Sequence, residues 1–116
     1  MSLTKGDVVL VPFPFTNLSQ TKLRPAVILW VDPQGRDITL CFVSSKNINQ
    51  TTNDEILITP NDPEFSQTGL KVASKIKVAR LVTLERQFIQ RRLGKLGKQQ
   101  LNLLNQTLIR TFKINL

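Results

Sequence analysis

Arg24 stands where the basic run Lys22-Leu23-Arg24 meets Pro25 and then the unbroken apolar stretch Ala26-Val27-Ile28-Leu29-Trp30-Val31. Pro25 fixes its own φ and biases Arg24 towards extended backbone. A charge held at the rim of a stiff scaffold is a place where a site can be built. Taken alone, the stretch reads more simply as a solvated edge cation. Twenty residues on, Ser44-Ser45-Lys46-Asn47 puts adjacent hydroxyls and a lysine at a strand end. That grouping suits contact with a phosphate, although serines at strand ends ordinarily cap or turn. In Ser74-Lys75-Ile76-Lys77-Val78-Ala79-Arg80-Leu81 the alternation sets Lys75, Lys77 and Ala79 on one face and Ile76, Val78 and Arg80 on the other. Two lysines on one face form a rail for phosphates, and the same alternation is the ordinary form of a half-buried strand.

Other chemistries are removed by composition. The chain has no histidine, no tyrosine and one cysteine. A histidine-based nucleophile or acid–base pair is excluded, and a zinc site lacks ligands. Catalysis would have to run on Arg, Lys, Ser, Thr, Asp or Glu. Cys41 lies within an apolar run and reads as a small core residue. Without a disulfide pair, a long apolar run or an apolar leader at the N-terminus, the expectation is a cytoplasmic protein that neither spans nor binds a membrane.

Charge is divided unevenly. Residues 1–70 carry five basic and seven acidic side chains, a balance of −2, whereas residues 71–116 carry eleven basic side chains and one acid, a balance of +10. Such asymmetry points to a polyanion or an acidic protein partner, against the plainer reading of solubility through excess lysine and arginine.

These residues need a frame. Asp7–Val11 reads as a first strand, introduced by the turn signal Gly6-Asp7. Pro12-Phe13-Pro14-Phe15 is expected to end ladder pairing, because neither proline donates. Its two rings serve either as a stacking platform for bases or as core plugs. Ala26–Val31 reads as a strand buried on both faces, with a buried helix as the alternative that periodicity leaves open. A turn at 32–37 joins it to Ile38–Val43 as a hairpin. Short strands follow at 54–59, from Ser74 through Glu85, and near 88–93. From Lys98 to Phe112 the period lengthens, and Leu101, Leu104, Leu108 and Phe112 form one helical stripe. Strands over most of the chain followed by a helix indicate a small β-barrel with a C-terminal helix, in one domain spanning 1–116.

Two blocks sharpen this reading. Gly6-Asp7-Val8-Val9-Leu10-Val11-Pro12-Phe13-Pro14-Phe15, a polar loop, and Lys22-Leu23-Arg24-Pro25-Ala26-Val27-Ile28-Leu29 resemble the opening of the MazF/PemK family of toxin–antitoxin ribonucleases. Thr68-Gly69-Leu70-Lys71-Val72-Ala73-Ser74, followed by Leu81-Val82-Thr83-Leu84, looks like that family's second block. The resemblance covers nearly the whole chain.

The resemblance implies a mainly β fold, an SH3-like small barrel with a C-terminal helix, working as a homodimer. It implies metal-independent, cofactor-free and sequence-specific endoribonuclease cleavage of single-stranded RNA, usually messenger RNA. The 2′-hydroxyl attacks, leaving a cyclic phosphate and a 5′-hydroxyl. A cognate acidic antitoxin blocks the RNA groove. The family's catalytic arginine falls on Arg24 and its strand-end hydroxyl on Ser44, while Lys22, Ser45, Lys46 and Lys77 are placed to hold the RNA backbone. The chain departs from some members in two places. Lys77 and Ala79 stand where an arginine and an acid occur, and the loop 16–23 has no acid. Those departures keep a second reading in play: a non-catalytic member that binds RNA or poisons a protein target such as gyrase.

Overall fold

The computed structural model describes residues 2–13 and 22–116. Six strands form one antiparallel sheet: β1 (Asp7–Phe13), β2 (Lys22–Val31), β3 (Asp37–Ser44), β4 (Glu55–Ile58), β5 (Ser74–Glu85) and β6 (Arg91–Lys95). One helix, α1 (Lys98–Thr111), follows them. The strand order is β4-β5-β3-β2-β1-β6. The mainly β architecture with a terminal helix is the one expected from sequence. No helix among the described residues is long and apolar enough to cross a membrane.

The sheet is apolar on both faces, which explains the unbroken apolar runs. Along β2, Ala26 and Ile28 join Val9, Val11, Ile38, Leu40, Leu84 and Ile89 in one core. Val27, one residue out of step, joins Val8, Cys41, Val43, Ile56, Ile58, Ile76, Val78 and Leu104 in the other. Ala26–Val31 therefore lies in a central strand, buried on both faces over Ala26–Ile28 but with Trp30 exposed, so the expected two-sided burial does not reach its end; the helical alternative is excluded. Helix α1 covers the second core with Leu101, Leu104 and Leu108. Phe112 lies past the last helical residue and is exposed, so the core stripe is one residue shorter than its periodicity suggests.

One expectation fails at the first strand. β1 does not stop at Pro12; it pairs with β2 through Pro12↔Leu23 and Phe13↔Lys22. Its pairing with β6 has already ended at Leu10↔Arg91. Beyond Leu10 the strand has a paired neighbour on one side only, the setting in which a sheet tolerates proline. The segment 14–21, with Pro14, Phe15 and most of the polar loop, lies outside the described residues.

The Gly6-Asp7 pair is a structural lock. Gly6 takes φ +93°, donates its N–H to the Ile28 carbonyl at 2.8 Å and accepts from Leu96 N–H at 2.8 Å. Buried Asp7 accepts the Thr4 N–H at 2.9 Å and pairs with Arg92 Nε at 3.2 Å.

Helix α1 is capped from a distance. Its N-cap, Gly97, has no side chain to offer the free amides of the first turn. Glu64 takes that role from the β4–β5 connection, accepting the N–H groups of Gln99 at 3.1 Å and Gln100 at 2.9 Å. The Gln100 side chain in turn accepts the Gly97 N–H at 2.9 Å and donates to Asp62 at 3.0 Å. A carboxylate at this end also meets the positive pole of the helix. Glu64→Ala is expected to cost about 1 kcal/mol of stability, read as a lower denaturant midpoint with an unchanged slope.

Candidate active site

Arg24 and Ser44 come together through register. The β2–β3 ladder pairs Val27 with Cys41 and Ala26 with Phe42 and stops there, next to Pro25, which has no N–H. Two residues further along both strands stand Arg24 and Ser44. Both line a cleft of about 620 Å3. Arg24 is half-buried, in the extended conformation that Pro25 favours. The Ser44 hydroxyl accepts the Lys46 N–H at 3.1 Å, a local turn that keeps its own O–H free to donate.

Ser45, Lys46 and Lys77 line the same cleft. Lys22 does not: it is exposed at the start of β2, opposite Phe13. The rail of two lysines is also corrected. Lys75 is buried at 6% exposure and turned inward, its Nζ 3.1 Å from Glu55 Oε1. A buried ammonium must be paired, and only Lys77 reaches the cleft.

Sequence reading missed Lys71, Arg80 and Arg91. Alternation sets Arg80 on the face opposite Lys77, yet both line the cleft. The cause is a break in register: Phe42 pairs with Lys77 but Cys41 pairs with Leu81, so one step on β3 spans four on β5. An irregularity of this kind re-aims side chains, and nothing in the composition of 77–81 announces it. Arg91 reaches the cleft because β6 pairs with β1 beside it, a contact between distant parts of the chain.

Among the described residues, the cleft wall carries six cationic side chains, Arg24, Lys46, Lys71, Lys77, Arg80 and Arg91, and neither Asp nor Glu. Nothing neutralises them within the wall, so the field there favours an anion. Aromatic surface is present too. Phe13, 40% exposed, packs against Phe42 with ring centroids 4.9 Å apart and planes inclined at 58°. Phe13 is thus not a buried plug: it packs on Phe42 and keeps apolar aromatic surface exposed at the cleft.

The neighbouring carboxylate is committed elsewhere. Burial would raise the Glu55 carboxyl, but the Thr52 N–H, then Lys75, then Lys77 hold it below its ordinary value. Its negative charge is therefore stabilised against Lys75, not offered to the cleft. Cys41 is buried, and desolvation pushes its thiol up to about 12, so it remains an inert core group. No cluster of three His, Cys, Asp or Glu side chains gathers among the described residues.

Fold and site together define a small curled β-sheet domain with a carboxylate-free cationic cleft, a class suited to a polyanionic chain. Comparison with known proteins is consistent with that class. Residues 4–112 match the family described as PemK-like, MazF-like toxin of type II toxin–antitoxin system. The chain belongs to this family. No curated protein matches its sequence. The fold is similar to that of an endoribonuclease from a mycobacterial species solved with its cognate antitoxin, with TM-score 0.74 and 14% identity over 99% of each chain. It is also similar to the Mycobacterium tuberculosis toxin MazF-mt6, with TM-score 0.72 and 17% identity over 95% of this chain and 99% of that one. A further mycobacterial endoribonuclease aligns with TM-score 0.71 and 16% identity, over 100% of this chain and 96% of that one. At these identities the likeness is one of fold.

Proposed function

We propose that this chain is the toxin of a type II toxin–antitoxin pair and acts as an endoribonuclease on single-stranded RNA. The observation that carries the reading is the cleft, whose described wall holds six cations, no carboxylate and a part-exposed phenylalanine and includes Arg24 and Ser44. Polyphosphate backbone answers the charge, and unstacked bases answer the aromatic face.

The chemistry is the one that the MazF/PemK resemblance implies, and the groups of the cleft suit it. The 2′-hydroxyl oxygen forms a bond to the adjacent phosphorus and loses its proton. The bond from phosphorus to the 5′-oxygen breaks, and that oxygen takes up a proton. A cyclic phosphate and a 5′-hydroxyl result. Negative charge gathers on the non-bridging oxygens, where the Arg24 fork opposes it and the Ser44 hydroxyl donates. Ser45, Lys46 and Lys77 hold the RNA backbone, joined by Lys71, Arg80 and Arg91. Lys22 sits outside the wall and steers the chain only from its margin. The toxin works in the cytoplasm as a homodimer, and an acidic antitoxin segment silences it by occupying the cationic cleft.

The test is incubation of the purified protein with a long single-stranded RNA in EDTA, followed by mapping of new 5′ ends. Discrete cuts with 5′-hydroxyl ends are expected. RNA that is bound by the folded protein but never cut would transfer the assignment to a non-catalytic binder on the same fold.

A further inference from the structure

Lys75 is an unusual residue to find inside a small domain. Lysine is almost never fully buried unless paired, and this one is 6% exposed. An ammonium has three N–H groups to place. Here they meet three acceptors: the carbonyl of Asn47 at 3.2 Å, the carbonyl of Gln50 at 3.0 Å and Glu55 Oε1 at 3.1 Å. Two of these belong to the segment that leaves β3 just after the Ser44-Ser45-Lys46 corner.

That segment has little else to fix it. Asn47 is in the left-handed region at φ 54°, a conformation that asparagine tolerates better than most residues. Gln50 N–H closes a turn on the Asn47 carbonyl at 3.1 Å, so one oxygen serves both the turn and the ammonium. Glu55 completes the clamp from β4, and the same carboxylate oxygen accepts the Thr52 N–H at 3.0 Å. Lys75 is also the cross-strand partner of Ser44. Its backbone therefore supports the strand end that bears the hydroxyl, and its side chain ties down the loop that continues from it.

We propose that Lys75 is a positioning residue of the site, its buried ammonium fixing the 45–50 loop and thereby aiming the Ser44 hydroxyl and Lys46 into the cleft. The inference rests on the ribonuclease reading above. It assigns Lys75 no contact with RNA: its three donors are spent inside the protein. The effect belongs mainly in the chemical step: of the six cleft cations only Lys46 lies on the loop that Lys75 holds, and the other five carry binding without it. A misplacement of about 1 Å at a reacting group is enough to lower a rate about 10²-fold.

The experiment compares wild type with Lys75→Met and Glu55→Gln. Hydrogen exchange is followed at the amides of residues 46–50, and kcat and KM are measured on an RNA that wild type cuts. Lys75→Met is expected to lower kcat about 10²-fold and to hold KM within about twofold. The loop amides should exchange faster while those of the β1–β2 ladder stay protected. Glu55→Gln keeps both carbonyl contacts and should shift both quantities in the same direction by less. A raised KM at unchanged kcat would make Lys75 a binding residue and overturn the proposal, as would wild-type kcat and wild-type exchange. Should Lys75→Met fail to fold, Glu55→Gln decides: faster loop exchange with lower kcat at constant KM supports the clamp, and unchanged exchange refutes it. Should wild type cut no RNA, the ribonuclease reading falls separately. Exchange in Lys75→Met then still tests the clamp, slow exchange at 46–50 overturning it and fast exchange supporting its loop-fixing part.

Discussion

Arg24→Ala is expected to reduce RNA cleavage about 10²–10³-fold, the usual loss when a preorganised donor is removed from the position where charge develops. Among the described residues the Arg24 side chain makes no hydrogen bond or ion pair. Arg24 sits near the start of β2, paired with Val11 of β1 but beyond the last β3 pairing, and is only half-buried. Truncating it therefore breaks no polar contact of the described fold, and thermal unfolding should stay close to wild type. Five other cations remain in the cleft wall, so RNA binding should weaken far less than the rate. Arg24→Lys keeps the charge but loses the planar fork that grips two phosphate oxygens at once, and its rate should fall between the two. Initial rates on a mapped RNA, with melting curves for each variant, check all of this. A variant cutting at the wild-type rate would remove Arg24 from the chemistry.

The largest stability effect is expected at Gly94. Its Cβ position is occupied by backbone, the Gln67 carbonyl oxygen and Thr68, so no side-chain rotation can make room. Gly69 faces the opposite problem, its Cβ position falling on the Leu93 backbone, and it also needs φ +76°. The two glycines let the 66–69 turn lie directly on β6. Gly94→Ala forces these backbones apart, at a cost on the order of 3 kcal/mol, the upper end for overpacking. For a domain of this size that is a melting temperature lower by about 10 °C or more. Because Gly69, Leu70 and Leu93 line the cleft, RNA binding should weaken below the melting transition as well. Calorimetry of the variant checks the first effect and a binding titration the second.

What could be read in advance divides along a physical line. The strand at Ala26–Val31 is legible because burial on both faces over Ala26–Ile28 writes an apolar run, which then continues into the exposed Trp30. α1 announced itself because a stripe at helical spacing is a one-dimensional record of one buried face. The Arg24–Ser44 pairing was accessible only through the MazF/PemK resemblance, since nothing in either segment names its partner across the sheet. Lys75 was misread for the converse reason. Alternation gives the face of a strand residue but not what the neighbouring strand brings to it, and Glu55 with the 47–50 carbonyls turns this lysine inward. Arg80 was lost to a register break, and Arg91 to pairing between chain segments eighty residues apart. Charge counting shows a basic excess over residues 71–116; three-dimensional pairing decides which of those charges meet.

The order of pairing carries a consequence for how such a molecule is made. Asp7 pairs with Lys95 and Val8 with Gly94, so the first strand waits for one of the last. The cleft waits longest, since Arg24 comes from β2, Ser44 from β3, Lys77 and Arg80 from β5, and Arg91 from β6. Long-range pairing of this kind forms late. A nascent chain on the ribosome therefore holds the parts of the cleft without an assembled one. If the proposed ribonuclease reading holds, the message that encodes the protein is read nearly to the end of this domain before the cleft that would cut RNA exists.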